Sequence, residues 1–223
     1  MTKMLTEMFL LQNRLNTLTI GEEWRSMELH NNKPIDFKKA IRIEISEYED
    51  SFDWKWWKNE EDDIVNARME LIDVLHFIVS YVLQQENNQD IATLISDFKY
   101  VPFMDPEVAL SAILQFTSNP REIHDLYDYK EIICAVFYLS ECLEMDPKEV
   151  FTLYKGKNIL NIFRQENGYK EGIYTKVWNK DFNGMTYQGE DNKILSELMD
   201  EYSNSDDIMN RLQEIYNSED IEE

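Results

Sequence analysis

Glycine and proline are scarce in this chain, with 6 and 5 among 223 residues. A chain of this length folded entirely as β-structure needs many tight turns, and the residues that make such turns are not there, so the composition favours helices. No apolar run approaches the roughly 18–20 residues that a membrane span needs, and no membrane partner is expected. The opening segment carries Glu7, Gln12, Asn13 and Arg14. That pattern is unlike a signal peptide and sets the expectation of a cytoplasmic protein. Cysteine is almost missing. Cys134 and Cys142 stand eight positions apart on an expected helix, about 12 Å along its axis. That is beyond disulfide reach, so both are expected as reduced core thiols.

Cations are the other shortage. Lys and Arg total 22 against 44 acids, a formal net charge of −22, which argues against electrostatically driven binding to nucleic acid. The deficit is uneven. Residues 190–223 hold 12 acids against Lys193 and Arg211. Residues 148–180 run the other way, with seven cations facing only Glu149, Glu166 and Glu171. A basic island inside an acidic chain suggests a bound anion that is small and local.

Apolar periodicity marks the elements. Leu5, Met8, Leu11 and Leu15 recur at helical spacing within 2–18, and Phe37, Ile41, Ile45, Tyr48 and Phe52 do so behind a candidate N-cap, Asp36. The spacing predicts a short helix near 22–30, a long one over 64–86, and others near 89–98, 106–117 and 121–144. Asp146, Pro147 and Glu149 form a capping-box start for a helix to about 167, with Gly168 supplying a left-handed end. A glycine-bearing loop then precedes one or two acidic helices. Residues 168–190 show no evident apolar anchor and are expected to be mobile without ligand.

The long helix carries the sharpest chemical signal. Within 69–83 its only polar side chains are Glu70, Asp73, His76 and Ser80, which fall in a sector of about 120° on an otherwise apolar cylinder. A solvent-facing stripe is the plain alternative, but such stripes usually include Lys or Arg, and this one has none. A second pair, Glu44 and Glu47, sits at i and i+3 on the preceding helix. Four carboxylates on two packed helices repel one another unless cations lie between them. Hard oxygen donors at this density suit Mg²⁺, with Mn²⁺ as the alternative.

The basic island adds a complementary face. Lys157, Asn161 and Arg164 stand at i, i+4 and i+7, with Asn158 and Gln165 alongside, a set suited to polyphosphate. The Gly156–Lys157 pair is not a P-loop, because the upstream glycine and following hydroxyl are missing.

These motifs carry a family resemblance. E-x-x-E at Glu44 and Glu47, followed after 22 residues by E-x-x-D at Glu70 and Asp73, is similar to the metal signature of the MazG-like all-α nucleotide pyrophosphohydrolases. K-N-x-L-N-x-F-R-x-x-x-G-Y from Lys157 to Tyr169 resembles a motif of the dimeric dUTPases. So do Q-x-x-L-N at Gln12 to Asn16, S-F-x-W-K-x-W-K at Ser51 to Lys58, the Tyr174–Lys176–Trp178 set, and E-D-N at Glu190 to Asn192.

The resemblance implies an all-α helical bundle, a homodimer, and hydrolysis of dUTP, with dUDP as a further substrate, to dUMP. It implies two or more Mg²⁺ ions on Glu44, Glu47, Glu70 and Asp73, with Glu47 as the base for the attacking water. Lys157, Arg164, Lys176 and Tyr169 would serve the phosphates. Gln12, Asn16, Trp57, Phe77, Asn161 and Asn192 would serve the nucleoside. On this reading residues 1–192 form one catalytic helical domain and 193–223 an acidic helical extension. Phe77 can equally be plain core, while Trp54 and Trp56 read as packing and His76 as a satisfied core histidine. Dual dCTP/dUTP or broader dNTP pyrophosphohydrolysis is the alternative within the class. An idle, acidic protein-binding module is the alternative outside it.

Overall fold

A computed structural model describes residues 1–59, 61–118, 124–202 and 204–221. The chain resolves into two compact units, Met1–Tyr154 and Lys155–Glu223. Compactness therefore divides it inside a helix, whereas the expected functional boundary was at 192.

The first unit is built around α3 (Ile64–Gln85). Its Leu71, Ile72, Leu75, Ile78, Val79 and Val82 are wholly inaccessible, and burying each such side chain is worth about 1.5–3 kcal/mol. A helix this apolar must be surrounded. α1 (Thr2–Ile20), α2 (Phe37–Asp50) and α6 (Leu126–Cys142) lie against it. α5 (Pro106–Ser118) packs on α2 and α6, and α4 (Asn88–Ser96) on α1 and α6. Asp36 caps α2 by accepting from the Lys39 amide, and Asp63 caps α3 through that of Asn66. These two caps set where each carboxylate pair begins its helical phase.

The predicted helix at 22–30 is a correction. A single 3₁₀ turn (Trp24–Ser26) precedes a two-residue ladder, β1 (Leu29–His30) with β2 (Lys33–Pro34). Asn31 and Asn32 at its tip both hold positive φ, a backbone no helix contains. The expected start of the 121–144 helix falls partly outside the described residues, but Asp125 closes a capping box and α6 begins at Leu126. Cys134 is buried as expected, while Cys142 is exposed.

α7 (Pro147–Glu166) begins in the first unit and continues in the second. Asp146 accepts from the Lys148 and Glu149 amides, and Glu149 accepts from that of Asp146. Gly168 follows at φ 86, the left-handed turn the sequence predicts.

The loop expected over 168–190 is instead a hairpin, β3 (Val177–Phe182) with β4 (Met185–Glu190). Its turn is Asn183–Gly184, at φ 54 and 77, the conformation a two-residue hairpin turn demands. The hairpin is anchored. Trp178, Tyr187 and Tyr174 are buried, and Phe163, Tyr174, Trp178 and Tyr216 form one aromatic cluster. α8 (Asp191–Glu201) and α9 (Ser205–Tyr216) pack on the hairpin, and β5 (Glu219–Asp220) extends it beside β3.

Candidate functional site

The polar stripe of α3 faces protein. Glu70, His76 and Ser80 are buried and Asp73 partly so. It divides along the helix axis into an acidic end, met by α2, and an amide end, met by α1.

At the acidic end, carboxylate oxygens of Glu44, Glu47 and Glu70 lie within 4.8 Å of one another. Asp73, one turn on from Glu70, adds its field to the same place. Burial first, then the charges of Asp73, Glu70 and Glu47, push the Glu44 carboxyl up to about 8, and a hydrogen bond with Glu70 acts the same way. The cluster thus relieves its own repulsion by holding a proton. A hard divalent cation would relieve it further, and an all-carboxylate donor set is what such an ion prefers. Glu47 is the exposed member of the three, placed to meet water.

The amide end is a closed hydrogen-bond network. Gln12 Nε2 donates to Asn16 Oδ1 and to Ser80 Oγ, both at 2.9 Å. Asn16 Nδ2 donates to Ser80 Oγ at 3.0 Å. Ser80 Oγ donates to the His76 carbonyl at 2.8 Å. Tyr154, stacked on the His76 ring at 3.8 Å, donates its hydroxyl to Gln12 Oε1, which also meets His76 Nδ1 at 2.5 Å. His76, expected as a satisfied core histidine, is buried and finds its hydrogen-bond partner in this network.

In the second unit the basic residues of α7 meet the E-D-N motif. Arg164 Nε and Nη2 grip the two oxygens of the fully buried Asp191 at 2.9 and 2.7 Å. Its Nη1 donates to Asn161, and Lys157 Nζ donates to Asn192 Oδ1 at 2.7 Å. Tyr174 donates to Asp191 at 2.7 Å. Burial, then that carboxylate, raises the Tyr174 phenol far above its ordinary range. Asp191 was not singled out by the sequence reading, although it is the central letter of the E-D-N motif. Gly156 has a packing role: a Cβ there would lie 2.2 Å from Met199 Sδ.

The remaining expected residues are more dispersed. Phe77 is partly buried and packs on the core beside Phe37. Lys176 lies over the exposed Tyr169 ring at 5.6 Å. Trp54, Trp56 and Trp57 are all exposed and stack edge-on among themselves. The packing role expected of Trp56 is therefore corrected, since an indole 89% exposed packs little, whereas Trp54 meets Trp57 edge-on and lies under Lys55. No helix among the described residues is long and apolar enough to cross a membrane.

A family model described as dUTPase matches residues 4–169, a span that holds both carboxylate pairs, the amide network and Arg164. No curated protein matches the chain.

Proposed function

The chain belongs to the dUTPase family and is a dUTP diphosphatase, and from that premise we propose which residues perform the hydrolysis. The supporting observation is the division of the α3 stripe. Glu70 and Ser80 are ten residues apart, about 15 Å along the helix. That is the scale of an extended nucleoside triphosphate, with acids for the phosphate end and amides for the base end.

The family is divalent-metal dependent, and we assign the ion as Mg²⁺, held by Glu44, Glu47, Glu70 and Asp73. When bound, Mg²⁺ supplies positive charge that offsets the polyphosphate and makes water easier to deprotonate. Glu47, the exposed carboxylate of the cluster, orients the attacking water and takes its proton. Attack at the β-phosphorus releases dUMP and pyrophosphate from dUTP, and dUMP and phosphate from dUDP. Gln12 and Asn16 read the uracil edge. Trp57 and Phe77 pack on the base or sugar, and Asn161 and Asn192 contact the nucleoside. Lys157, Arg164, Lys176 and Tyr169 neutralise and hold the phosphates. Residues 1–192 carry these roles, in a homodimer as the family resemblance implies, and in the cytoplasm as the pattern of the opening segment suggests.

The test is pyrophosphate release from dUTP, dCTP, dTTP and UTP under Mg²⁺ or Mn²⁺. A clear preference for dUTP over dCTP is expected. Comparable kcat/KM for the two would replace the narrow specificity by the dual one.

A further inference from the structure

An amide side chain presents a donor and an acceptor that exchange places when it rotates by half a turn. A site that reads bases with free amides therefore accommodates either pattern. The network around Gln12 removes that freedom, and its origin can be traced to one atom. Ser80 has a single hydroxyl proton. Of the three groups within reach of its oxygen, only the His76 carbonyl can never donate, so the proton is committed there. Ser80 Oγ is left purely an acceptor. Gln12 and Asn16 must then both turn their NH₂ groups towards it.

The rest follows by elimination. The second Gln12 N–H goes to Asn16 Oδ1. Gln12 Oε1 accepts from His76, which requires the proton of His76 to be on Nδ1, and from Tyr154, whose hydroxyl lies closer to it (3.0 Å) than to its other acceptor, the Met8 carbonyl (3.3 Å). Gln12 has then used both N–H groups and both lone pairs. Among the described residues, Asn16 keeps one Nδ2–H and one Oδ1 lone pair without a hydrogen-bond partner, in an order it cannot reverse. Uracil offers a carbonyl oxygen beside an N3–H. Cytosine offers an unprotonated N3 beside an amino group, the inverse order along the same edge.

We propose that Ser80 is a specificity-positioning residue: it fixes the amide orientation of Gln12 and Asn16 and thereby sets the preference for uracil over cytosine. This rests on the assignment of Asn16 as a base reader, and it narrows the part of Gln12, whose donors and acceptors the network uses up, to holding Asn16 in one orientation. Ser80 touches no substrate in this scheme and acts through the two amides.

The experiment compares kcat/KM for dUTP and dCTP in Ser80→Ala, Ser80→Thr and Asn16→Ala. In Ser80→Ala the dUTP/dCTP ratio should fall about tenfold or more, mainly through better use of dCTP, and Ser80→Thr should restore it by returning the oxygen. The ¹⁵N shifts of the His76 ring supply a readout independent of turnover. They should report an Nδ1–H form in the parent and mixed tautomers in Ser80→Ala. An unchanged ratio in a folded Ser80→Ala, while Asn16→Ala loses the preference, overturns the positioning role and leaves Asn16 standing as a base reader. If Asn16→Ala also keeps the preference, the base-reading assignment fails and takes this inference with it. Should Ser80→Ala prove too unstable to assay, Ser80→Cys keeps the side-chain shape with a much weaker acceptor. It should lower the same ratio, and an unchanged ratio there equally overturns the role.

Discussion

Glu47 and Asp191 illustrate two fates of a carboxylate in an acidic chain. Glu47 is exposed at the edge of a crowded acidic cluster, so its charge is available for chemistry. Glu47→Gln should preserve the fold and lower kcat by about 10² or more, read in a steady-state assay beside an unchanged thermal melt. Near-normal turnover would remove Glu47 from its role. Asp191 is fully buried and committed to Arg164 and Tyr174. Removing one partner of a buried pair strands the other charge, so Asp191→Ala should destabilise the protein by about 3–5 kcal/mol. Urea denaturation measures this directly, and a loss under about 1 kcal/mol would mean the pair is effectively solvated. Arg164 was legible in the sequence as a cation on a basic face. Its partner was not, because nothing in spacing alone links residues 27 positions apart.

At the scale of elements, the hairpin shows where the sequence reading stops. Asn183–Gly184 is a strong hairpin signal, yet the flanking strands hide their period. On β3 the buried Trp178 is followed two residues later by Lys180, a charge on the inward alternation. Lys180 bonds the Ser218 carbonyl, pairs with Asp220 and lies over the Tyr216 ring. On the other alternation Val177 is apolar but exposed. Alternation of apolar and polar residues is therefore absent although the strand is real. α3 is the opposite case, since its apolar cylinder and four-residue polar stripe specify its burial and bring Glu70 beside Glu44 and Glu47. Hydrogen exchange should find the paired backbone amides of 177–190 protected without nucleotide, against the mobility expected of a segment with no evident apolar anchor. Gly184→Ala should cost about 1 kcal/mol. The left-handed φ accounts for that cost, because a Cβ there meets nothing within 4 Å.

For the whole molecule, stability should depend on pH and divalent cations together. The Glu44 carboxyl lies near 8 in the folded chain against an ordinary 4.5, so between those values the folded state holds a proton that the unfolded state has lost. Stability then falls as pH rises. The Glu44 contribution is complete below about pH 4.5 and is lost as pH climbs through about 8. The general repulsion within a chain of net charge −22 acts in the same direction, so the slope alone does not identify the cluster. Two comparisons do. Glu44→Gln cannot bind that proton differentially and should flatten the melting temperature between pH 5 and 8. Mg²⁺ binds the deprotonated carboxylates and expels the proton, so at pH 8 it should raise the melting temperature well beyond NaCl of equal ionic strength. Near pH 5, where protons compete for the same oxygens, the Mg²⁺ advantage should shrink. Calorimetric titration at pH 7 in two buffers of different ionisation enthalpy should show proton release on Mg²⁺ binding. A shift that NaCl reproduces in full, with no proton released, would mean that screening of the acidic surface accounts for the effect and that the four carboxylates hold no ion.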